Sequence, residues 1–411
     1  MMLVVGYIFG YTVIATVLMP LYYRLNLTSI YSYLETRFGF WSYKSGAFYF
    51  ILSRVIGASF RMFLIVNVLQ VFVFDAWKVP FGVTVMIFIV LILLYTLKGG
   101  IRTIIWTDLI QTTFMLLALV FSIWFIIQHL GSSLPSIAGD VFHSAYSKMV
   151  FTDWHDKRFI LKQLLSGAFI AIVMTGLDQE MMQKNISCRN LKSAQKNMFT
   201  FTGIMVFVNF LILFLGAVLF IYTDKMGIKV PARTDDLFPM IAIQYLGPVA
   251  GMVFLVGLIS AAYPSADGAL TSLTTCFSID FLGLDKRSDL DEQRKKRIRY
   301  RVHISFAVIL LLVIVVFRAI NDRAVIDKLF TIAGYTYGPL LGLYAFGLFM
   351  PFKVRDRWVP AVVIASPILC YFLSSYSALL FGGYKFGFEL LLVNGLITFV
   401  GLFLIKMKNE E

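Results

Sequence analysis

The sequence predicts an all-α, polytopic membrane helix bundle of about 11 transmembrane helices, on three observations. Of 411 residues, 59% are hydrophobic and 14% charged, where a soluble chain carries about 25% charged residues. Mean hydropathy is +0.82. The apolar residues also fall in blocks of roughly the twenty needed to cross a bilayer.

Apolar runs bounded by charge or by Pro and Gly mark spans at 1–20, 44–72, 79–97, 102–128, 160–184, 198–223, 248–282, 300–318, 325–350, 359–381 and 385–405. The first contains Gly6-xxx-Gly10, a spacing that permits close helix packing. The second and seventh exceed a straight crossing and must tilt or bend. The seventh also carries Pro264, which has no N–H for the carbonyl of Ser260.

The connecting loops give the orientation. Of the 36 Lys and Arg, 22 lie in loops of one parity and twelve in the other, with Arg54 and Arg61 inside the membrane. An excess of basic residues marks the cytoplasmic side, so the N-terminus is expected outside and the C-terminus in the cytoplasm of a multi-pass cell-membrane protein. Because the +13 net charge is spread over short loops, it points to topology and away from nucleic acid. Three scattered cysteines imply no disulfide framework, and four histidines without ligand-like spacing imply no structural metal. No signal-peptide pattern opens the chain.

Ionisable groups at membrane depth are costly and therefore candidates for function. Arg54 and Arg61 lie seven apart, on one helix face; Asp108, Asp178 and Asp267 fall in the fourth, fifth and seventh spans. They either neutralise one another within the bundle or serve transport. Hydroxyls favour function for two of them: Thr107 flanks Asp108, while Ser260, Ser265, Thr271, Ser272, Thr274 and Thr275 crowd the helix of Asp267. Carboxylate, hydroxyl and carbonyl oxygens suit a hard cation such as Na⁺.

Four stretches in order, 22–39 (YYRLNLTSIYSYLETRFG), 98–111 (KGGIRTIIWTDLIQ), 175–185 (TGLDQEMMQKN) and 260–272 (SAAYPSADGALTS), resemble the sodium:solute symporter family over essentially the whole chain. The resemblance implies a LeuT-type inverted repeat with broken helices around the ligands. It implies a single transmembrane domain over 1–411: an incomplete first repeat (1–128), a second repeat (160–350) and two C-terminal peripheral helices (359–405). The principal sodium site would use Ala261, Pro264 and Ser265, with Asp108 tied to sodium binding or exit and Asp267 added from its hydroxyl-rich surroundings. Segment 171–179 would line the substrate cavity, giving Ala171, Met174, Asp178 and Gln179. Arg61 could hold a carboxylate bidentately.

There are departures from the family pattern. Pro264 stands where a hydroxyl ligand is expected, Met174 where an aromatic gate is expected, and segment 1–20 matches the second core helix, so the peripheral and first core helices have no counterpart. The expected function is sodium-coupled symport of a small organic solute by alternating access, with Na⁺ as coupling ion, no other cofactor, and solute, Na⁺ and lipid as partners. The alternative is a non-transporting or degenerate symporter-like protein, such as a sensor, a subunit or a truncated fragment. No HExxH, nucleophile elbow, Walker loop or histidine cluster is present, and no enzyme activity is expected.

Overall fold

The computed structural model describes residues 1–27, 29–97, 101–156, 158–320, 325–384 and 386–407. Thr28 and residues 98–100, parts of two family-like stretches, lie outside them. The main helices are α1 (Met2–Leu25), α2 (Phe40–Trp77), α3 (Phe81–Thr96), α4 (Ile101–His129), α5 (Ile160–Gly176), α6 (Gln179–Ile186), α7 (Leu191–Met226), α8 (Pro248–Phe281), α9 (Glu292–Ile320), α10 (Val325–Phe349), α11 (Val359–Ser375) and α12 (Leu390–Leu404).

Each apolar run of the sequence carries a helix. Among the described residues, seven helices are long and apolar enough to cross a membrane, and α5 with α6 makes an eighth crossing if that bent pair is one span. Helices α3 and α12 are shorter, so length and composition do not establish a count of eleven. Large apolar side chains stand exposed along α4 (Leu109, Ile110, Phe114, Leu117, Phe121, Trp124) and α7 (Phe199, Ile204, Phe207, Ile212). Continuous apolar faces of this size belong against lipid. The chain is a multi-pass membrane protein.

Small residues let the helices approach. A Cβ on Gly6 would overlap the Leu164 carbonyl, and one on Gly167 would overlap that of Leu3, so α1 and α5 touch backbone to backbone. The Gly6-xxx-Gly10 spacing is therefore used, since Gly10 meets Ala168 and Ala171 in the same seam.

Two features bear directly on the site. First, the fifth span is broken: α5 ends in a π-helical turn at Ile172–Gly176, and α6 leaves at 68° to it. The break falls inside the family-like segment 171–179, expected to line the substrate cavity. Its freed carbonyls are satisfied from elsewhere, that of Gly176 by the Tyr22 hydroxyl (2.8 Å) and that of Leu177 by the Tyr31 hydroxyl (2.9 Å). Non-helical backbone at membrane depth persists only with such partners. Second, α8 is continuous through Pro264. The proline leaves the helix unbroken, so backbone interruption occurs in the fifth span and not in the seventh.

Candidate functional site

The site is organised along α2. Arg54 and Arg61 are two helical turns apart on one face, but their surroundings differ. Arg54 is 5% exposed and reaches Asp178 Oδ2 at 3.5 Å and, in direct contact, Glu180. Arg61 has no carboxylate within ion-pair distance among the described residues, and its buried Nε has no hydrogen-bond partner. It lines a small cavity of about 10 Å³ together with Ser53, Gly57, Met174, Thr336 and Tyr337. That is room for one water.

Asp178 is explained by local structure. It sits in extended conformation at the N-cap of α6, where Oδ1 accepts from the backbone N–H groups of Glu180 (3.0 Å) and Met181 (3.2 Å). Its other oxygen faces Arg54 and accepts from the Tyr337 hydroxyl at 3.4 Å. A carboxylate at a helix start satisfies orphan donors and complements the helix dipole.

Beyond the cap, Glu180 and Lys184 stand one turn apart on α6 and project to the same side. Lys184 Nζ bridges two carboxylates, donating to Asp108 Oδ2 on α4 (2.8 Å) and to Glu180 Oε1 (3.2 Å). The Glu180 carboxylate lies directly on α8 at Gly268, where any Cβ would overlap it. Next to Gly268, the fully buried Asp267 accepts from the Tyr95 hydroxyl of α3 (2.8 Å) and from the Gly268 N–H (2.5 Å). Asp108 and Lys184 both lie within electrostatic reach of Asp267. Asp108 Oδ1 and Gln111 Oε1, one turn apart on α4, are buried oxygens without hydrogen-bond partners among the described residues. Helices α2, α4, α6 and α8 thus converge on one charged patch, with α3 joining through Tyr95.

The expected site residues divide on this framework. Arg61 and Met174 share the cavity. Ala171 is buried in the α1–α5 seam against Gly10, away from the cavity lining. Asp178 is held as the α6 cap, and Gln179 Oε1 accepts from the Ile30 N–H at 2.9 Å, so the polar groups of both bond to protein.

Of the cation set, Asp108 and Asp267 belong to the charged patch. Ala261, Pro264 and Ser265 are half-buried on α8 at helical spacing. Ser265 and Asp267, two residues apart, point to opposite sides of that helix. Glu180, Lys184, Tyr95, Gln111 and Tyr337 were not anticipated. The available signal is the Glu180–Lys184 pair, spaced i, i+4 just after a break.

Three comparisons bear on this arrangement. The family model described as "Sodium:solute symporter family" matches residues 1–354. The chain is similar to the sodium/sialic acid symporter SiaT of Proteus mirabilis (strain HI4320), at 24% identity over 361 residues covering 84% of this chain and 70% of that protein. It is similar to the human sodium/iodide cotransporter at 24% identity, covering 84% of this chain and 54% of that protein. The sodium-coupled monocarboxylate transporter 1 of Mus musculus is 26% identical, with 85% and 57% covered. The chain thus spans between 54% and 70% of the length of these relatives. A solved Na⁺-coupled sialic acid symporter, in a substrate-bound outward-open state, superposes with a TM-score of 0.79 at 20% identity, covering 98% of this chain and 82% of that one. The fold is therefore LeuT-like, and the chain belongs to the sodium:solute symporter family.

Proposed function

We propose that this chain is a sodium-driven symporter that carries a small organic anion inward by alternating access. In this reading Asp108 and Asp267 serve the cation, and Arg61 and Met174 meet the solute. The observation that carries it is the segregation of charge along α2. Among the described residues, four carboxylates, Asp108, Asp178, Glu180 and Asp267, share one patch with two ion-paired cations, Arg54 and Lys184. A patch with excess negative charge inside a membrane protein needs protons or a small cation. The unpartnered oxygens of Asp108 and Gln111 are suitable donors. Two turns along α2, the Arg61 guanidinium, without a carboxylate partner among the described residues, offers a planar fork for a carboxylate.

Ala261, Pro264 and Ser265 would supply carbonyl and hydroxyl oxygens on the other side of α8. The two repeats would be 1–128 and 160–350, the second opened by the broken α5–α6 pair, followed by peripheral helices over 359–405. The basic loops favour an outside N-terminus and a cytoplasmic C-terminus. The test is uptake into proteoliposomes under an inward Na⁺ gradient, using labelled small carboxylates; sialic acid and monocarboxylates come first because similar proteins bear those names. Gradient-dependent uptake of at least one is expected. No uptake of any, together with no Na⁺-induced thermal stabilisation of the purified protein, would reject the reading.

A further inference from the structure

Lys184 holds the carboxylate that the proposed cation would use. Its ammonium lies 2.8 Å from Asp108 Oδ2 and is steadied by Glu180 at 3.2 Å, while Asp108 Oδ1 and the neighbouring Gln111 Oε1 stay without hydrogen-bond partners among the described residues. The Asp108 and Lys184 side chains are only 22% and 25% exposed, and that of Glu180 is 5% exposed, so the charges are poorly screened by water. A cation entering beside Asp108 meets a positive charge already bonded to the same carboxylate. We propose that the Lys184 ammonium is a tethered surrogate cation, which competes with the coupling ion for Asp108 and sets how much Na⁺ the protein requires.

This rests on the reading of Asp108 as a cation ligand. It follows from the same electrostatics that an emptied carrier keeps Asp108 neutralised. Moving an unpaired carboxylate through a low-dielectric interior costs several kcal/mol, on the order quoted for buried ions. An internal ammonium removes that cost while the external cation is absent. The attachment suits the task, because Lys184 is in the last turn of α6, the short helix beyond the broken backbone, and Asp108 is on the separate helix α4. Relative motion of the two helices would change their separation directly. Arg54 differs: it is nearly buried between two acids on α6 and has no such exchange partner. Lys184 acts as a positioning residue here, through Asp108, and touches no solute.

The experiment is ²²Na⁺ binding to the full chain in detergent, with choline replacing Na⁺ at constant ionic strength. Lys184→Gln is expected to lower half-saturating Na⁺ about a hundredfold, the scale of removing one charge about 6 Å away at an effective dielectric near 20. Lys184→Arg should remain within about twofold of the parent. Asp108→Asn should bind Na⁺ weakly, and adding Lys184→Gln to it should change nothing further.

If Lys184→Gln does not fold, Lys184→Cys in a Cys188→Ser background gives the same test. Charging that thiol with 2-aminoethyl methanethiosulfonate should raise the Na⁺ requirement, and a neutral methyl methanethiosulfonate cap should not. Unchanged or weaker Na⁺ binding in Lys184→Gln, or a shift that persists without Asp108, overturns the proposal. If Asp108→Asn binds Na⁺ like the parent, the assignment of Asp108 fails first. If no variant binds Na⁺, both fail together.

Discussion

Arg54 and Arg61 occupy one face of one helix about 10 Å apart, yet they stand in opposite chemical settings. Arg54 is enclosed by carboxylates from α6 and is part of what holds the broken fifth span in place. Arg61 faces a cavity without a carboxylate partner among the described residues. The contrast teaches that a buried charge in the membrane does not announce its role by depth or residue type. What separates scaffold from candidate ligand is whether the protein itself supplies the counter-charge.

The largest expected effect tests the scaffold side. Arg54→Met leaves Asp178 and Glu180 facing each other with their cation gone, and removing one partner of a buried ion pair costs about 3–5 kcal/mol. We expect a lower thermal midpoint and poor recovery of folded protein in detergent, read by fluorescence-detected size exclusion. A stable Arg54→Met variant would show that Lys184 alone neutralises the patch, and the contrast would collapse.

Arg61→Gln tests the other side. No carboxylate among the described residues is orphaned by it, so thermal stability should move by less than about 1 kcal/mol, as for substitutions that break no paired charge. Binding of whichever carboxylate proves to be transported should weaken on the order of a hundredfold, for loss of a charge-assisted bidentate contact. Equal stability losses at Arg54 and Arg61, with little change in solute binding, would return both arginines to mutual neutralisation.

The sequence foretold this architecture better than its pairings. Helix existence followed from apolar length, and the break in the fifth span from the family-like TGLDQE stretch. The pairings depend on which faces meet, which one sequence does not contain. Asp178 sits in that stretch beside the break, where a ligand and a helix cap look alike; the N–H groups it accepts from, those of Glu180 and Met181, make it a cap, which the sequence does not reveal. Lys184 closes the apolar span 160–184, and a span's end does not say where its last side chain points; α6 continues to Ile186 and turns Lys184 toward α4. Gly268 gave no signal either, because its meaning is the Glu180 carboxylate resting on it. Pro264 suggested an interrupted helix, yet α8 continues through it, since packing on both sides can hold a helix across one missing N–H.

A smaller effect is expected at Asp267. Asn keeps an acceptor for the Tyr95 hydroxyl and nearly the same volume, while removing one negative charge from the patch. Half-saturating Na⁺ should rise about tenfold in a ²²Na⁺ titration, as expected for one charge about 12 Å from the ion at an effective dielectric near 20, with the thermal midpoint in choline changed little. Unaltered Na⁺ binding would make Asp267 a structural partner of Tyr95 and leave Asp108 as the carboxylate of the cation site.

The smallest expected effect is at Pro264, and it discriminates between the two sides of α8. Pro264→Ser returns an N–H to the Ser260 carbonyl and adds a hydroxyl one residue before Ser265. Because α8 is already continuous at this position, the regained hydrogen bond should add only about 0.5–1.5 kcal/mol. If the cation is held chiefly by the Asp108 and Asp267 patch, a new hydroxyl on the Ser265 side is a minor addition, and Na⁺ affinity should change less than about threefold, under 1 kcal/mol. If the cation instead sits among Ala261, residue 264 and Ser265, the hydroxyl fills a vacant ligand position, and affinity should rise by tenfold or more. Pairing Pro264→Ser with Asp108→Asn separates these outcomes further. Strong Na⁺ binding that survives loss of the Asp108 charge would move the cation away from the charged patch, leaving Lys184 and its acids as scaffold in the same sense as Arg54.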